Sequence, residues 1–339
     1  MAYIIMLNVL LYSLRKILHS MIEGSENRIM VGREYIINNY RLLSESMRRE
    51  GSYEKALGLL NKALAIEGHM NDCELLIDKA LIYDELGEFE KARELYRQVL
   101  LSDPEESRAY YGIGVSYDNE GHKKKAIGYY KRALDLDPEY DRAAFFIANA
   151  YDDLGDRGSA IGWYKRLLLM RPDDFWGHVN LGVIYEEMNE NQSAFEHAQS
   201  ALQIDPHNYK ALFNLGVVQK KLGRTYEAEY SYRLSIEENP EYPFSYLNLA
   251  VIYIEEKSYK RAIEVLDKAI EYNAEEAYLY YNRACCFCLM GRLDEALKDV
   301  IKSMDLDPEL EEYMKEDREL DGIREMEEYI NKFGRARGM

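Results

Sequence analysis

The chain is poor in proline and cysteine, poor in positive charge, and without an apolar run of membrane-spanning length. Each shortage removes a class of protein. With 7 prolines in 339 residues there is no proline-rich linker, and the 47% hydrophobic fraction supports a substantial core rather than a disordered chain. The four cysteines are Cys73, Cys285, Cys286 and Cys288, and three of them fall in one short run that cannot pair within itself. That excludes a disulfide framework and favours a reducing, cytoplasmic setting. No histidine or fourth cysteine stands at zinc-ligand spacing from CCFC, so no metal and no other cofactor is expected. Lys and Arg number 43 against 61 Asp and Glu, a net charge of −18. Nucleic acid is excluded as a principal ligand, because binding a phosphate backbone rests on basic side chains displacing counterions.

The first 22 residues are apolar, but their uncharged run ends at Arg15, short of the roughly 20 residues that span a bilayer. No basic residue precedes the run, as a secretory signal would need. Ile4, Leu7, Leu11, Leu14 and Leu18 recur at helical spacing, which predicts an amphipathic helix. Packing on the next element is its expected role; lying on a membrane surface is the alternative.

What the chain does have is a period of 34 residues. Gly87, Gly121, Gly155, Asn189, Gly223, Lys257 and Gly291 share one phase; Ala92, Ala126, Ala160, Ala194, Ala228, Ala262 and Ala296 share another. Six of the seven prolines, Pro104, Pro138, Pro172, Pro206, Pro240 and Pro308, occupy a third phase and mark where a helix cannot continue. An earlier copy with Gly51 and Ala56 is offset by two extra residues. The result is eight copies, at 37–70, 73–106, 107–140, 141–174, 175–208, 209–242, 243–276 and 277–310.

Within 107–140, Tyr110, Ile113, Gly114 and Tyr117 form one face of a first helix, Gly121 ends it, and Ala126, Tyr130 and Ala133 carry a second. The eighth residue of each copy is small: Ser44, Ala80, Gly114, Ala148, Gly182, Gly216, Ala250 and Ala284. Tyr83, Tyr117, Tyr151, Tyr185 and Tyr253, in the eleventh position, are expected to fill the space that the small residues leave.

This pattern resembles the tetratricopeptide repeat (TPR) family over residues 37–310. The resemblance implies an all-α fold, a right-handed superhelical solenoid of eight helix-turn-helix repeats whose first helices line a concave groove. Lys79 and Arg283 at the seventh position, Gln219 at the eleventh and Lys257 at the turn depart from the family pattern. A solenoid needs its apolar ends covered. Residues 1–36 read as an N-terminal amphipathic or capping segment. Residues 311–339 read as a C-terminal capping helix, with a stripe of Leu320, Ile323, Met326, Ile330 and Phe333, Asp321 as N-cap and Gly334 as terminator.

The groove positions that the resemblance implies carry a series of amides, Asn180, Asn214, Asn248 and Asn282. An amide offers a donor and an acceptor, as does each peptide unit of an extended chain, so a row of them suits a bound backbone. Around them lie Val179, Phe213, Leu247 and Tyr281, then Val183, Val217 and Val251, then Trp176, Phe244 and Tyr278. An acidic strip follows at Asp84, Glu85, Asp118, Asp152, Asp153, Glu186 and Glu187, either a solvated face or a surface for basic segments of a partner. The family's clamp for acidic chaperone tails is not expected: Arg41 alone is basic at a fifth position, and Glu45 follows where that clamp has asparagine.

No catalytic constellation emerges. His19, His69, His122, His178, His197 and His207 fall in different phases, and no glycine-rich phosphate loop is present. The sequence therefore predicts a non-catalytic scaffold or adaptor binding a peptide or partner helix. The alternatives are a membrane-associated assembly factor and a targeting subunit of a separate enzyme.

Overall fold

The structure, a computed structural model, describes residues 26–66 and 69–334, and every regular element among them is a helix. The segment expected over residues 1–22 and the end of the expected capping segment, 335–339, lie outside the described residues. Among the described residues no helix is long and apolar enough to cross a membrane.

The chain divides into two compact units, one ending at Met170 and the other beginning at Arg171. In the first, α1 (Glu26–Arg49) packs on α2 (Tyr53–Leu64), α3 (Cys73–Glu85) on α4 (Phe89–Ser102), α5 (Ser107–Asn119) on α6 (Lys123–Leu136), and α7 (Asp141–Asp153) on α8 (Arg157–Met170). In the second, the pairs are α9 (Phe175–Glu187) with α10 (Asn191–Ile204), α11 (Tyr209–Lys221) with α12 (Thr225–Glu238), α13 (Pro243–Glu255) with α14 (Tyr259–Tyr272), and α15 (Ala277–Leu289) with α16 (Leu293–Leu306). Turns this short make each pair antiparallel.

Two local devices set the period. The first helix of a pair ends on a left-handed residue. At Gly87, φ is 75°, its N–H donates to the Asp84 carbonyl at 3.0 Å, and the Glu88 N–H reaches the Tyr83 carbonyl at 2.8 Å. Asn189 (φ 60°) and Lys257 (φ 58°) adopt the same conformation with a side chain in place. In five of the pairs the second helix ends at an Asp or Asn before proline, where the ring disfavours α geometry. Asp103, Asp137, Asp205, Asn239 and Asp307 are accordingly extended. Their side chains accept the N–H two residues on, as in Asp103 with Glu105 at 3.0 Å and Asp307 with Glu309 at 3.0 Å.

The recurring alanines, from Ala56 to Ala296, are fully buried where the paired helices touch. The space beside the small eighth residues is filled differently from expectation. A Cβ added to Gly114 would lie 2.5 Å from the Tyr130 ring, and one on Gly216 would lie 2.6 Å from Tyr232. The filling tyrosines therefore come from the second helix, four residues after the recurring alanine, because that side chain points directly at the close approach. Two of the polar departures, Arg283 and Gln219, find partners. Arg283 forks onto Asp299 at 2.7 and 2.8 Å and reaches Asp267 at 2.7 Å, and buried Gln219 accepts from Ser231 at 2.7 Å.

Both ends differ from expectation. Helix α1 runs unbroken through residue 37, since no proline precedes Pro104 to stop it. The C-terminal segment is not one helix but α17 (Leu310–Glu316), a 3₁₀ turn (Arg318–Ile323) and α18 (Glu327–Phe333). Asp317 is extended at the first break and its carboxylate accepts the Glu319 N–H at 3.0 Å, while Arg324 donates to the Asp317 carbonyl at 2.6 Å. Asp321 thus lies inside the 3₁₀ turn, and Met326 takes the N-cap position of α18. Leu320 and Ile323 still bury themselves against the last pair, and Gly334 ends α18 at φ 75°.

Candidate functional site

In the second unit the first helices carry the amide series on a partly exposed face. Asn180, Asn214, Asn248 and Asn282 are all half-buried. The rungs are not equivalent. Asn248 Nδ2 donates to the Phe244 carbonyl at 3.0 Å and Asn282 Nδ2 to the Tyr278 carbonyl at 2.8 Å, one turn back on their own helices. Neither bond uses the amide oxygen. Asn214 makes no such bond and stands over a cavity beside Val183, Val217 and Phe213.

The aromatic residues around the series are exposed to an unusual degree: Trp176 by 49%, Phe244 by 50% and Tyr278 by 46%. Phe213, Tyr242 and Phe244 form a cluster, with Phe213 edge-on to Tyr242 at 5.4 Å between centroids and Tyr242 at 5.3 Å from Phe244. Val251 is exposed and Leu247 half-buried beside it, whereas Val179 is buried. Tyr281 departs from the expectation that it lines an open groove. Its hydroxyl donates to Asp317 at 2.5 Å and its ring meets Tyr313 edge-on, so the chain's own C-terminal segment covers this end.

That segment also brings the ligand atoms of Cys285, Asp317 and Glu319 within 4.8 Å of one another. Burial first, then Asp317 and Glu319, push the Cys285 thiol up, and burial pushes Cys286 up to about 12 and Cys288 to about 11. Burial thus favours the thiol form of all three at neutral pH, which disfavours nucleophilic attack.

The acidic residues are largely engaged within the chain. In the first unit Glu85 pairs with Arg48, Asp118 with Lys123 at 2.7 Å, and Asp153 with the same lysine at 2.6 Å. Asp84 accepts from Tyr96 at 3.0 Å and from Ser116 at 2.5 Å, and burial pushes its carboxyl up to about 6. In the second unit Glu186 pairs with Lys221, and Lys220 with Glu255. Asp152 and Glu187 also have interactions within the chain. This face carries less unpaired charge than the sequence suggested, because partners one repeat away are invisible to a count along the chain.

Two features were not singled out from the sequence. One is the buried second-helix tyrosine series, Tyr96, Tyr130, Tyr164 and Tyr232, of which the sequence pointed to Tyr130 alone; the other is its interruption at Ala198, which lines the cavity under Asn214. The signal was present as a fourth phase of the same 34-residue period.

Models of the tetratricopeptide repeat match residues 77–141, 120–176, 197–230, and 177–208 together with 245–276. Comparison with curated protein sequences gives no match. Among solved structures, a tetratricopeptide repeat protein from Parabacteroides merdae is similar with a TM-score of 0.53 and 20% identity, over 69% of this chain and 93% of its own. The Cut9–Hcn1 hetero-tetramer of the APC/C gives 0.52 and 18% identity, over 80% of this chain and 52% of that one. YrrB, a TPR protein with an unusual peptide-binding site, gives 0.46 and 20%, over 55% and 95%. Identities this low speak to the fold alone.

Proposed function

The chain belongs to the tetratricopeptide repeat family, and from that premise we propose that it is a non-catalytic scaffold whose second unit holds an extended segment of a protein partner on its first-helix face. One observation carries the reading. Half-buried amides at Asn180, Asn214 and Asn248 share a face with Trp176 and Phe244, whose rings the described chain leaves about half exposed. Large apolar side chains exposed beside hydrogen-bonding groups of both signs suit a peptide, whose backbone takes the amides and whose side chains cover the rings. Tyr278 and Asn282 extend the face toward the C-terminal segment, where Tyr281 is already engaged.

The amides would fix the backbone without reading its sequence, while the apolar residues between them select side chains. Nothing in this arrangement moves a proton or activates a nucleophile. Its chemistry is recognition, and its expected partner is a protein segment in an extended conformation.

A displayed library of short peptides panned against the full chain tests this. A selected peptide is expected to bind the Asn214→Ala/Asn248→Ala variant about tenfold or more weakly, since each lost hydrogen bond is worth about 1 kcal/mol. The thermal melt of that variant is expected to be nearly unchanged. Failure to select any peptide, or equal affinity for the variant, sinks the reading.

A further inference from the structure

Buried tyrosines recur four residues after the recurring alanine, at Tyr96, Tyr130, Tyr164 and Tyr232. In the pairs that hold Tyr130 and Tyr232, the facing residue is Gly114 or Gly216, and nothing larger would fit. The pair α9–α10 keeps the glycine, Gly182, but has Ala198 in place of the tyrosine. A Cβ on Gly182 would meet nothing nearer than 3.5 Å. The other pairs without tyrosine carry Leu60, Leu266 or Val300 there, all fully buried, and none of them has glycine opposite. Only around Gly182 and Ala198 are both residues small. The space they leave is a cavity of about 110 Å³.

We propose that this cavity takes the phenol ring of a tyrosine from the bound partner segment, which completes the repeat in trans. The inference rests on the groove reading above and names the side chain that the groove selects. Three observations fix the occupant. The floor is apolar and buried, with Ala194, Ala198 and Ala201 at its base, while Val183, Asn214 and Val217 on the other side are half-exposed, so the cavity opens where the proposed backbone lies. Its volume is of the order of an apolar protein cavity of about 150 Å³ that stays dry and binds benzene. The third is polar. In two of the four filled repeats the phenol donates to a carboxylate in the last turn of the first helix, Tyr96 to Asp84 at 3.0 Å and Tyr130 to Asp118 at 3.2 Å, and in a third Tyr164 donates to the Asn149 amide oxygen. The residue of that phase in α9 is Glu186, and it lines the cavity. One of its carboxylate oxygens is held by Lys221, and the other is the acceptor assigned here to the partner's hydroxyl. An aliphatic side chain would fill the space without using that acceptor.

The test uses the full chain and p-cresol, the side-chain analogue of tyrosine, followed by ligand-observed NMR titration. Saturable binding is expected, with toluene about tenfold weaker because it lacks the donor to a charged acceptor. Ala198→Tyr is expected to melt at or above the parent temperature, as the ring fills a void, and to lose p-cresol at least tenfold. Ala198→Leu, which copies Leu60 and Leu266, is expected to lose it as well and guards against a fault of one variant. No saturable binding, or binding unchanged in both variants, overturns the site; toluene binding as tightly as p-cresol overturns the tyrosine assignment. Peptides selected on the parent chain are expected to carry a tyrosine whose replacement by alanine costs at least tenfold. If selected peptides depend on Asn214 and Asn248 but tolerate both that replacement and Ala198→Tyr, the cavity inference falls and the groove reading stands. If p-cresol binds and no peptide is selected, the groove reading falls, and the partner's ring with it.

Discussion

Asp84 shows how a residue that looks like surface charge is drawn into the interior. Its carboxylate holds the hydroxyls of Tyr96 and Ser116, and burial raises its pKa from 3.8 to about 6. The folded state therefore keeps a proton up to about pH 6 that the unfolded chain releases near 4. Stability from this group is present at low pH and is lost as pH rises through that window. Asp84→Asn removes the buried charge, and the hydroxyl of Tyr96 or Ser116 can turn to accept from the new amide. The variant is expected to be about 1 kcal/mol more stable than the parent at pH 7.5, with a smaller gain at pH 5, as read by urea denaturation. A gain independent of pH would show that repacking, not ionisation, was responsible.

Turns and terminal segments are where single elements are decided. Lys257 sits at φ 58° in a turn that Gly87, Gly121, Gly155, Gly223 and Gly291 fill elsewhere. A left-handed residue with a Cβ costs about 1–2 kcal/mol, and glycine's extra freedom in the unfolded chain offsets part of the gain from replacing it. Lys257→Gly is expected to stabilise by about 0.5–1 kcal/mol in the same denaturation experiment, and a loss would mean that the lysine makes an interaction worth more than its strain. The C-terminal segment makes a second case. Leu320 and Ile323 seal the last pair, and Cys285 is buried beneath them with its thiol directed to Asp317 at 3.7 Å. A chain ending before Leu310 is expected to expose that thiol, so that a maleimide labels Cys285 in native buffer while the full chain resists. Equal labelling would show that the segment does not act as a cover.

For the whole molecule the charge balance is one-sided. With 43 basic and 61 acidic side chains, 18 carboxylates are left over even if every Lys and Arg is paired. Exposed ion pairs are worth about 0–1 kcal/mol each, whereas the uncompensated charge repels at every separation within a Debye length. The melting temperature is therefore expected to rise as salt is added from a low starting concentration toward about 0.15 M. A fall would mean that networks such as Arg41 with Asp78 and Glu74 outweigh the repulsion.

The repeat period, the turn residues, the pre-proline breaks and the buried alanines were all legible in the chain, because each is a local requirement of backbone geometry that recurs every 34 residues. The amide series was legible for the same reason. What tertiary structure alone decided was which surfaces stay open. Tyr281 reads as a groove residue until Asp317 folds back onto it, and Asp118 reads as free charge until Lys123 is placed beside it. The cavity beside Ala198 belongs to this second kind. A small residue in sequence is only a small residue, and it becomes a void when no neighbour from another helix reaches into the space that a tyrosine fills elsewhere.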